Sequence, residues 1–239
     1  MSTLMSEFKY IGSELELFAA VHNWKSYWSR RVRPFIRGDV LEVGAGIGAN
    51  TPYLNPEGNR GWVCLEPDPL LVEELTLNLA KTNGWGYEVV RGTLQNLRER
   101  QFDTILYIDV LEHIENDRDE LTDAASLLRA GGRLIVLAPA HQWLFTPFDA
   151  AIGHFRRYDG PMLRRISPAG LQLEKMSYLD SAGLLLSASN RLFLRQAMPT
   201  KVQLSFWDRR VIPVSQLLDK LLLGSVGKSI IGIWRRVQD

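Results

Sequence analysis

From residue 38 onward the apolar residues come in short, dense runs: "DVLEV", "GWVCLEP", "YEVV", "FDTILYI" and "GRLIVLA". Runs this short and this rich in Val, Ile and Leu predict strands covered on both faces. Between them the apolar positions recur at steps of three and four. In "DPLLVEELTLNLAKTNG" Asp68 stands where an N-cap is needed, Pro69 opens the first turn and Gly84 follows the end. In "DRDELTDAASLLRAGG" the same spacing sets Leu121, Ala124, Ala125 and Leu128 on one helix face. Strands that alternate with helices predict an α/β fold, a parallel sheet joined by crossover helices.

The flanks have a different texture. "SELELFAAVHNWKSYWSRRV" predicts one helix, opened by a capping box of Ser13 and Glu16 and closed by Pro34. Its aromatics Phe18, Trp24, Tyr27 and Trp28 need a surface to cover, and the last three are expected to form a lid. Past Gly170, "LQLEKMSYLDS" and "KSIIGIWRRV" read as two strands separated by helical sequence. There Val214, Leu217, Leu218, Leu221 and Leu222 make a stripe ended by Gly224, which assigns them to core packing. Upstream, Arg191, Arg195, Lys201, Arg209 and Arg210 interleave with Phe193, Phe206 and Trp207. That mixture suits the roof of an apolar pocket or a lipid headgroup surface, so peripheral membrane contact is among the expected partners. The pattern is read as one domain: a helical cover (1–37), a core (38–180), a helical insert (181–225) and a last strand (226–239).

Composition narrows this. With 46% hydrophobic residues the 239-residue chain can bury a full core, and 28 Lys+Arg against 27 Asp+Glu give no overall pull toward nucleic acid. Any basic site is therefore local, and "HFRRYDGPMLRR" is such a site. The single cysteine, Cys64, excludes an intramolecular disulfide and a cysteine-rich zinc site, and fits a reducing cytoplasm. The N-terminus lacks a basic region followed by an apolar one, and no apolar run is long enough to span a membrane. A cytoplasmic protein, at most bound to a membrane surface, is expected.

Chemistry begins at "DVLEVGAGIGANTPYL", where a strand runs into Gly44, Gly46 and Gly48 and then a short helix. Glycines let the backbone turn sharply and approach a ligand, and the helix offers free N–H groups. Gly44, Gly46 and Ala49 also satisfy the dinucleotide fingerprint, so a nicotinamide or flavin oxidoreductase stays open, as does a non-catalytic nucleotide-binding module. Glu66 closes the second strand about 20 residues on, where a carboxylate accepts from a ribose. Glu42, just before the loop, would repel a diphosphate and favours a cationic ligand.

These residues resemble the class I S-adenosylmethionine-dependent methyltransferases, over roughly 38 to 180 and the last strand; the strongest pieces are "LEVGAGIG" and "LEPDP". The resemblance implies a Rossmann-like, mostly parallel sheet with a terminal antiparallel strand, helices on both faces, and S-adenosyl-L-methionine as cofactor. By it, Glu42 through Gly48 hold the methionine end, Glu66 the ribose, and Pro67 and Asp68 flank the adenine. "FDTILYIDVLEHI" resembles the fourth-strand motif, with Ile108 and Asp109 near the sulfonium, and "LLRAGGRLIVLAP" the turn and strand that follow. Where many relatives have Gly-Asp, this chain has Gly92-Thr93-Leu94, leaving the Thr93 hydroxyl or the Leu94 N–H to serve the adenine.

Methyl transfer from a sulfonium is an in-line displacement that an enzyme assists by positioning and electrostatics. An acceptor proton needs a base, and His113, His141 and His154 are the candidates, His113 and His154 as catalytic residues. His22 is assigned to structure. No metal is expected, because the three histidines have no carboxylate or cysteine partners at the usual short intervals. His141, Arg156, Arg157 and Tyr158 are expected to bind the acceptor, a small or lipid-linked molecule with an anionic group. Adjacent arginines in extended chain face opposite ways, so one points inward while the other pairs with Asp149 or Asp159.

Overall fold

The computed structural model describes residues 14–55, 61–82, 86–189 and 200–237. Its frame is a seven-stranded sheet of β1 (Val40–Val43), β2 (Trp62–Glu66), β3 (Tyr87–Arg91), β4 (Phe102–Ile108), β5 (Leu128–Pro139), β6 (Leu171–Leu179) and β7 (Ser229–Arg236). The order is β3-β2-β1-β4-β5-β7-β6, with parallel pairing from β3 through β5 and β7 antiparallel to both its neighbours. The last strand of the chain thus lies inside the sheet. Because it runs backwards, its first residues stand at the carboxyl edge of the parallel strands.

Strand alternation sorts the core into two layers. Leu41, Ile105, Tyr107, Leu134, Val136 and Trp234 face one side, and α5 (Asp117–Ser126) and α7 (Gly160–Arg165) cover them with Leu121, Ala124 and Leu163. Val40, Leu106, Ile135, Leu137, Ile231 and Ile233 face the other, under α2 (His22–Val32), α4 (Pro69–Ala80) and α10 (Ile212–Leu221). Asp68 caps α4, its Oδ1 accepting from Leu70 N at 2.8 Å and Leu71 N at 3.3 Å. Short α3 (Thr51–Leu54) follows the glycine loop, and α6 (Pro147–Ala151) lies between β5 and β6.

Three expectations change. The N-terminal helix is two: α1 (Glu14–Ala19) and α2, parted at Val21, which is extended (φ −89°, ψ 109°). Val21 is itself buried, and α2 takes its cap from Asp208, whose carboxylate accepts from the backbone N–H of His22, Asn23 and Trp24. A cap so distant in sequence leaves no local signal. Second, Leu128 is not on the α5 face but opens β5, paired with Phe102. Third, the stripe on α10 is not core: Val214, Leu217 and Leu221 are 50%, 62% and 72% exposed, while Ile212, Ser215 and Asp219 are buried.

The inverted helix follows from a buried polar network. Asp219 accepts from Tyr27 Oη at 2.8 Å and from the N–H groups of Asp180 and Ser181 at 2.7 and 3.0 Å. Asp180 accepts from Ser215 Oγ at 2.6 Å and Trp207 Nε1 at 2.8 Å. Buried carboxylates need every donor within reach, and turning α10 outward would strand two of them. The remaining insert is α8 (Ser181–Ser189), α9 (Lys201–Phe206) and a π-helical turn, Trp207–Val211. Ser13, Gly84, Arg191, Phe193 and Arg195 lie outside the described residues.

Candidate active site

The sheet order reverses between β1 and β4, the place where open α/β sheets leave a crevice beyond their strand ends. A cavity of about 220 Å³ opens there. Its floor is Gly44, Ala45 and Gly46 after β1, Ile108, Asp109, Glu112 and His113 after β4, and Pro139 at the end of β5. Its roof comes from α1 and α2 (Phe18, Trp24, Lys25, Trp28), from Phe148 and Ile152, and from Trp207 in the π turn.

Local geometry explains the floor. Gly44 and Gly46 have φ of +65° and +55°, where a side chain is strained. A Cβ on Gly44 would meet Val110 at 2.7 Å, whereas one on Gly46 would meet only Leu15, at 3.8 Å, so the loop backbone is bare toward the cavity. Glu66 reaches this loop: its Oε2 accepts from Gly46 N at 2.9 Å and its Oε1 from Asp68 N at 3.1 Å. Burial raises the Glu66 carboxyl, and the Asp68 and Gly46 N–H groups restrain it.

Charge is concentrated on the walls. Asp109 faces the cavity and keeps solvent-accessible surface there, while the protein packed around it pushes its carboxyl up to about 7 against the pull of Lys228 and Lys25. Lys25 donates to the carbonyls of Ala19 and Ala49, and burial lowers it to about 8. Lys228 stands 5.0 Å from the Trp207 ring centroid. His113 falls to about 4 through burial and the neighbouring His154, so it is a neutral imidazole near pH 7. Glu112, buried and beside Asp109, is raised well above the carboxylate range.

The basic cluster is answered from within. Arg157 forks onto Asp149, Nε to Oδ1 at 2.8 Å and Nη2 to Oδ2 at 3.0 Å. Burial alone would raise Asp149, but His154, Arg157 and Thr146 together hold it at about 2. Arg156 turns the other way, to Asp117 at 2.6 Å and the Glu115 carbonyl at 2.8 Å. The Tyr158 hydroxyl is buried against the Leu111 carbonyl and Asp117, and Asp159 caps α7. His141 stacks on Tyr178, rings parallel at 5.2 Å.

Gly44, Gly46, Ile108, Asp109, His113, His154 and Arg157 therefore meet at the cavity, with Glu66 beneath the loop. Glu42, Gly48, Pro67, Asp68, Thr93, Leu94, His141, Arg156 and Tyr158 do not line it. Glu42 stops short of the cavity, and its Oε2 accepts from Thr51 Oγ1 and Trp62 Nε1, both at 2.9 Å. Thr93 caps the 3-10 turn Leu94–Leu97. Of the lid aromatics, Trp24 and Trp28 line the cavity, while Tyr27 is spent on Asp219. Lys25, Phe148 and Lys228 join the walls with no motif in the sequence to mark them, and Glu112 joins them beside His113, the pair that the resemblance assigns to shaping the pocket. Lys228 had a signal: it opens an antiparallel strand, whose start belongs at the ligand edge.

Residues 41–134 match the family described as Methyltransferase domain. A demethylmenaquinone methyltransferase of Tropheryma whipplei is 30% identical over 129 residues, 54% of this chain and 52% of that protein. A nonribosomal peptide synthetase, CymA of Salinispora arenicola, described as probable and non-canonical, is 29% identical over 164 residues, 65% of this chain and 2% of that protein. The chain thus spans about half the length of the first relative and a small part of the second. In fold it is similar to coclaurine N-methyltransferase, solved with N-methylheliamine and SAH, at a TM-score of 0.61 and 14% identity over 96% of this chain and 76% of that one. With its glycine loop at the switch point of such a sheet, the chain carries a match to the methyltransferase domain over residues 41–134 and shares the fold of solved methyltransferases.

Proposed function

We propose that this chain transfers the methyl group of S-adenosylmethionine to a small-molecule or lipid-linked acceptor carrying an ionisable group. The observation that carries the reading is the bare Gly46 backbone facing an aromatic roof across one cavity. The cradle fits the cofactor: Gly46 leaves space where a side chain would stand, and a buried carboxylate waits at the loop. Gly44, Gly46, Glu66, Ile108 and Asp109 would hold it. When bound, S-adenosylmethionine supplies an electrophilic methyl carbon on a sulfonium.

The chain's own residues do the rest. Trp24, Trp28, Phe148 and Trp207 exclude water and offer flat apolar walls to the acceptor. Asp109 stands beside the loop, where a bound cationic donor would favour its ionised form. His113, neutral near pH 7, adds an uncharged polar wall beside the donor. Lys25 and Lys228 are the cavity's lysines, and they favour an acceptor that is anionic as it reacts. A small acceptor is compatible with the relative named as a demethylmenaquinone methyltransferase. Exposed Val202, Phe206, Leu217 and Leu221 beside Lys201, Arg209 and Arg210 support approach to a lipid surface. Among the described residues no helix is long and apolar enough to cross a membrane.

The test is calorimetric titration of one sample with S-adenosylmethionine, S-adenosylhomocysteine and NADH, followed by label transfer from methyl-labelled cofactor into aqueous and lipid fractions of an extract. The reading expects binding of the first two ligands and label in an organic small molecule or lipid. Binding of NADH alone would overturn it.

A further inference from the structure

Glu112 sits at the cavity floor, 1% exposed, and neither of its carboxylate oxygens has a hydrogen-bond partner. Burying a carboxylate without partners is costly enough that such groups are ordinarily paired or bound to metal. Beside it stand two imidazoles. His154 Nε2 lies 3.9 Å from Glu112 Oε1, and the His113 and His154 rings meet edge to face with centroids 4.5 Å apart. One ligand atom from each of the three residues falls within 4.8 Å of the others.

We infer that Glu112, His113 and His154 form a binding site for a divalent transition-metal ion at the floor of the cavity. Four ligands at about 2.1 Å around a tetrahedral ion stand roughly 3.4 Å apart, so the group needs to contract by well under 1 Å on the observed His154–Glu112 edge. The histidines are oriented as metal ligands are. A ligating imidazole gives its other N–H to a carboxylate or carbonyl, which fixes the tautomer and aims the free lone pair at the ion. His154 Nδ1 lies 3.1 Å from Asp149 Oδ1, and Asp149 is itself clamped by Arg157. His113 has its backbone partner in Gly153. Both rings thus have an outer anchor.

Donor chemistry narrows the ion. Two imidazoles and one carboxylate suit Zn2+, Fe2+, Co2+ or Mn2+, whereas Mg2+ and Ca2+ prefer oxygen ligands throughout. Three protein ligands leave coordination positions free, and the group faces the cavity, so an acceptor oxygen can complete the shell. That use of the ion rests on the methyl-transfer reading; the site itself does not. Spacing along the sequence does not signal a metal site, because His154 lies far from Glu112 and His113 along the chain. The segment after β5 folds back, with Phe155 N donating to the Glu112 carbonyl at 2.8 Å, and closes that distance.

The full chain, dialysed against a chelator, is titrated with Co2+ and followed by visible d–d absorption, then by calorimetry with Zn2+, Mn2+ and Mg2+. Expected are one equivalent of Co2+ and Zn2+ per chain with a nitrogen-and-oxygen ligand spectrum, and Mg2+ at least 100-fold weaker. His154→Ala and the near-isosteric Glu112→Gln should each weaken Zn2+ by more than tenfold, and Asp149→Asn by about 10- to 100-fold. His22→Ala should leave it unchanged. The Co2+ spectrum of the unmodified chain needs no variant to fold. Absence of saturable Co2+ and Zn2+ binding, or full affinity in folded His154→Ala and Glu112→Gln, overturns the site. S-adenosylhomocysteine titrated into the same samples separates the two readings: metal without nucleoside binding sinks methyl transfer and keeps the site, and the reverse sinks the site alone.

Discussion

Glu42 offers a direct test of how this core is built. The carboxylate is 2% exposed under α3, and burial, opposed by the Trp62 and Thr51 donors, raises it from 4.5 to about 7. The folded chain therefore binds a proton more tightly at this position than the unfolded chain. Stability from the protonated acid is fully present below pH 4.5 and is lost as pH rises to about 7. At 1.36 kcal/mol for each tenfold change in proton affinity, the rise from 4.5 to about 7 corresponds to about 3 kcal/mol. Glu42→Gln is the neutral isostere: its amide oxygen can accept from Thr51 and Trp62 as Oε2 does. The variant should match wild type near pH 4 and exceed it progressively, by about 3 kcal/mol at pH 8. Urea unfolding of both proteins at intervals from pH 4 to 8 reads the difference directly, with every other titrating group cancelled. A difference flat with pH would show that Glu42 is ionised at no such cost, and would falsify this account of the loop's foundation.

Other outcomes follow from the cavity and its supports. Glu66→Ala should weaken S-adenosylhomocysteine binding by an amount on the order of 2 to 4 kcal/mol, and Gly46→Val should weaken it by filling the bare loop face; calorimetry on folded variants checks both. Tyr158→Phe should cost about 1–2 kcal/mol in unfolding experiments, because its hydroxyl serves Leu111 and Asp117, and should leave acceptor KM unchanged. Arg157→Ala leaves the buried Asp149 without its fork and should cost about 3 kcal/mol or more, read by thermal and urea unfolding. Asp208→Ala removes the acceptor for three N–H groups of α2 and should cost about 1–2 kcal/mol while speeding amide exchange at His22–Trp24.

The sequence by itself determined the sheet. Its seven strand-like runs each became a strand: the dense apolar runs of β1, β2, β4, β5 and β7 are buried over most of their length, while β3 and β6, the edge strands, are only partly covered. It also determined the loop: Gly44, Gly46 and Gly48 all adopt positive φ, and Glu66 arrives beside them because it ends the neighbouring strand. These are local or nearest-neighbour facts. What only the tertiary structure decided is where polar side chains find partners. Thr51 and Trp62 took Glu42, and Asp117 and Asp149 took both arginines, of which one was expected to reach an acceptor. The stripe on α10 pointed outward because Asp180, Asp219 and Ser215 needed one another more than Leu217 and Leu221 needed cover. Hydrophobic burial is non-directional and can be read from spacing. A buried charge is satisfied only by particular atoms at particular distances, and those are supplied by residues, such as Tyr27 for Asp219, that the chain brings together only when folded.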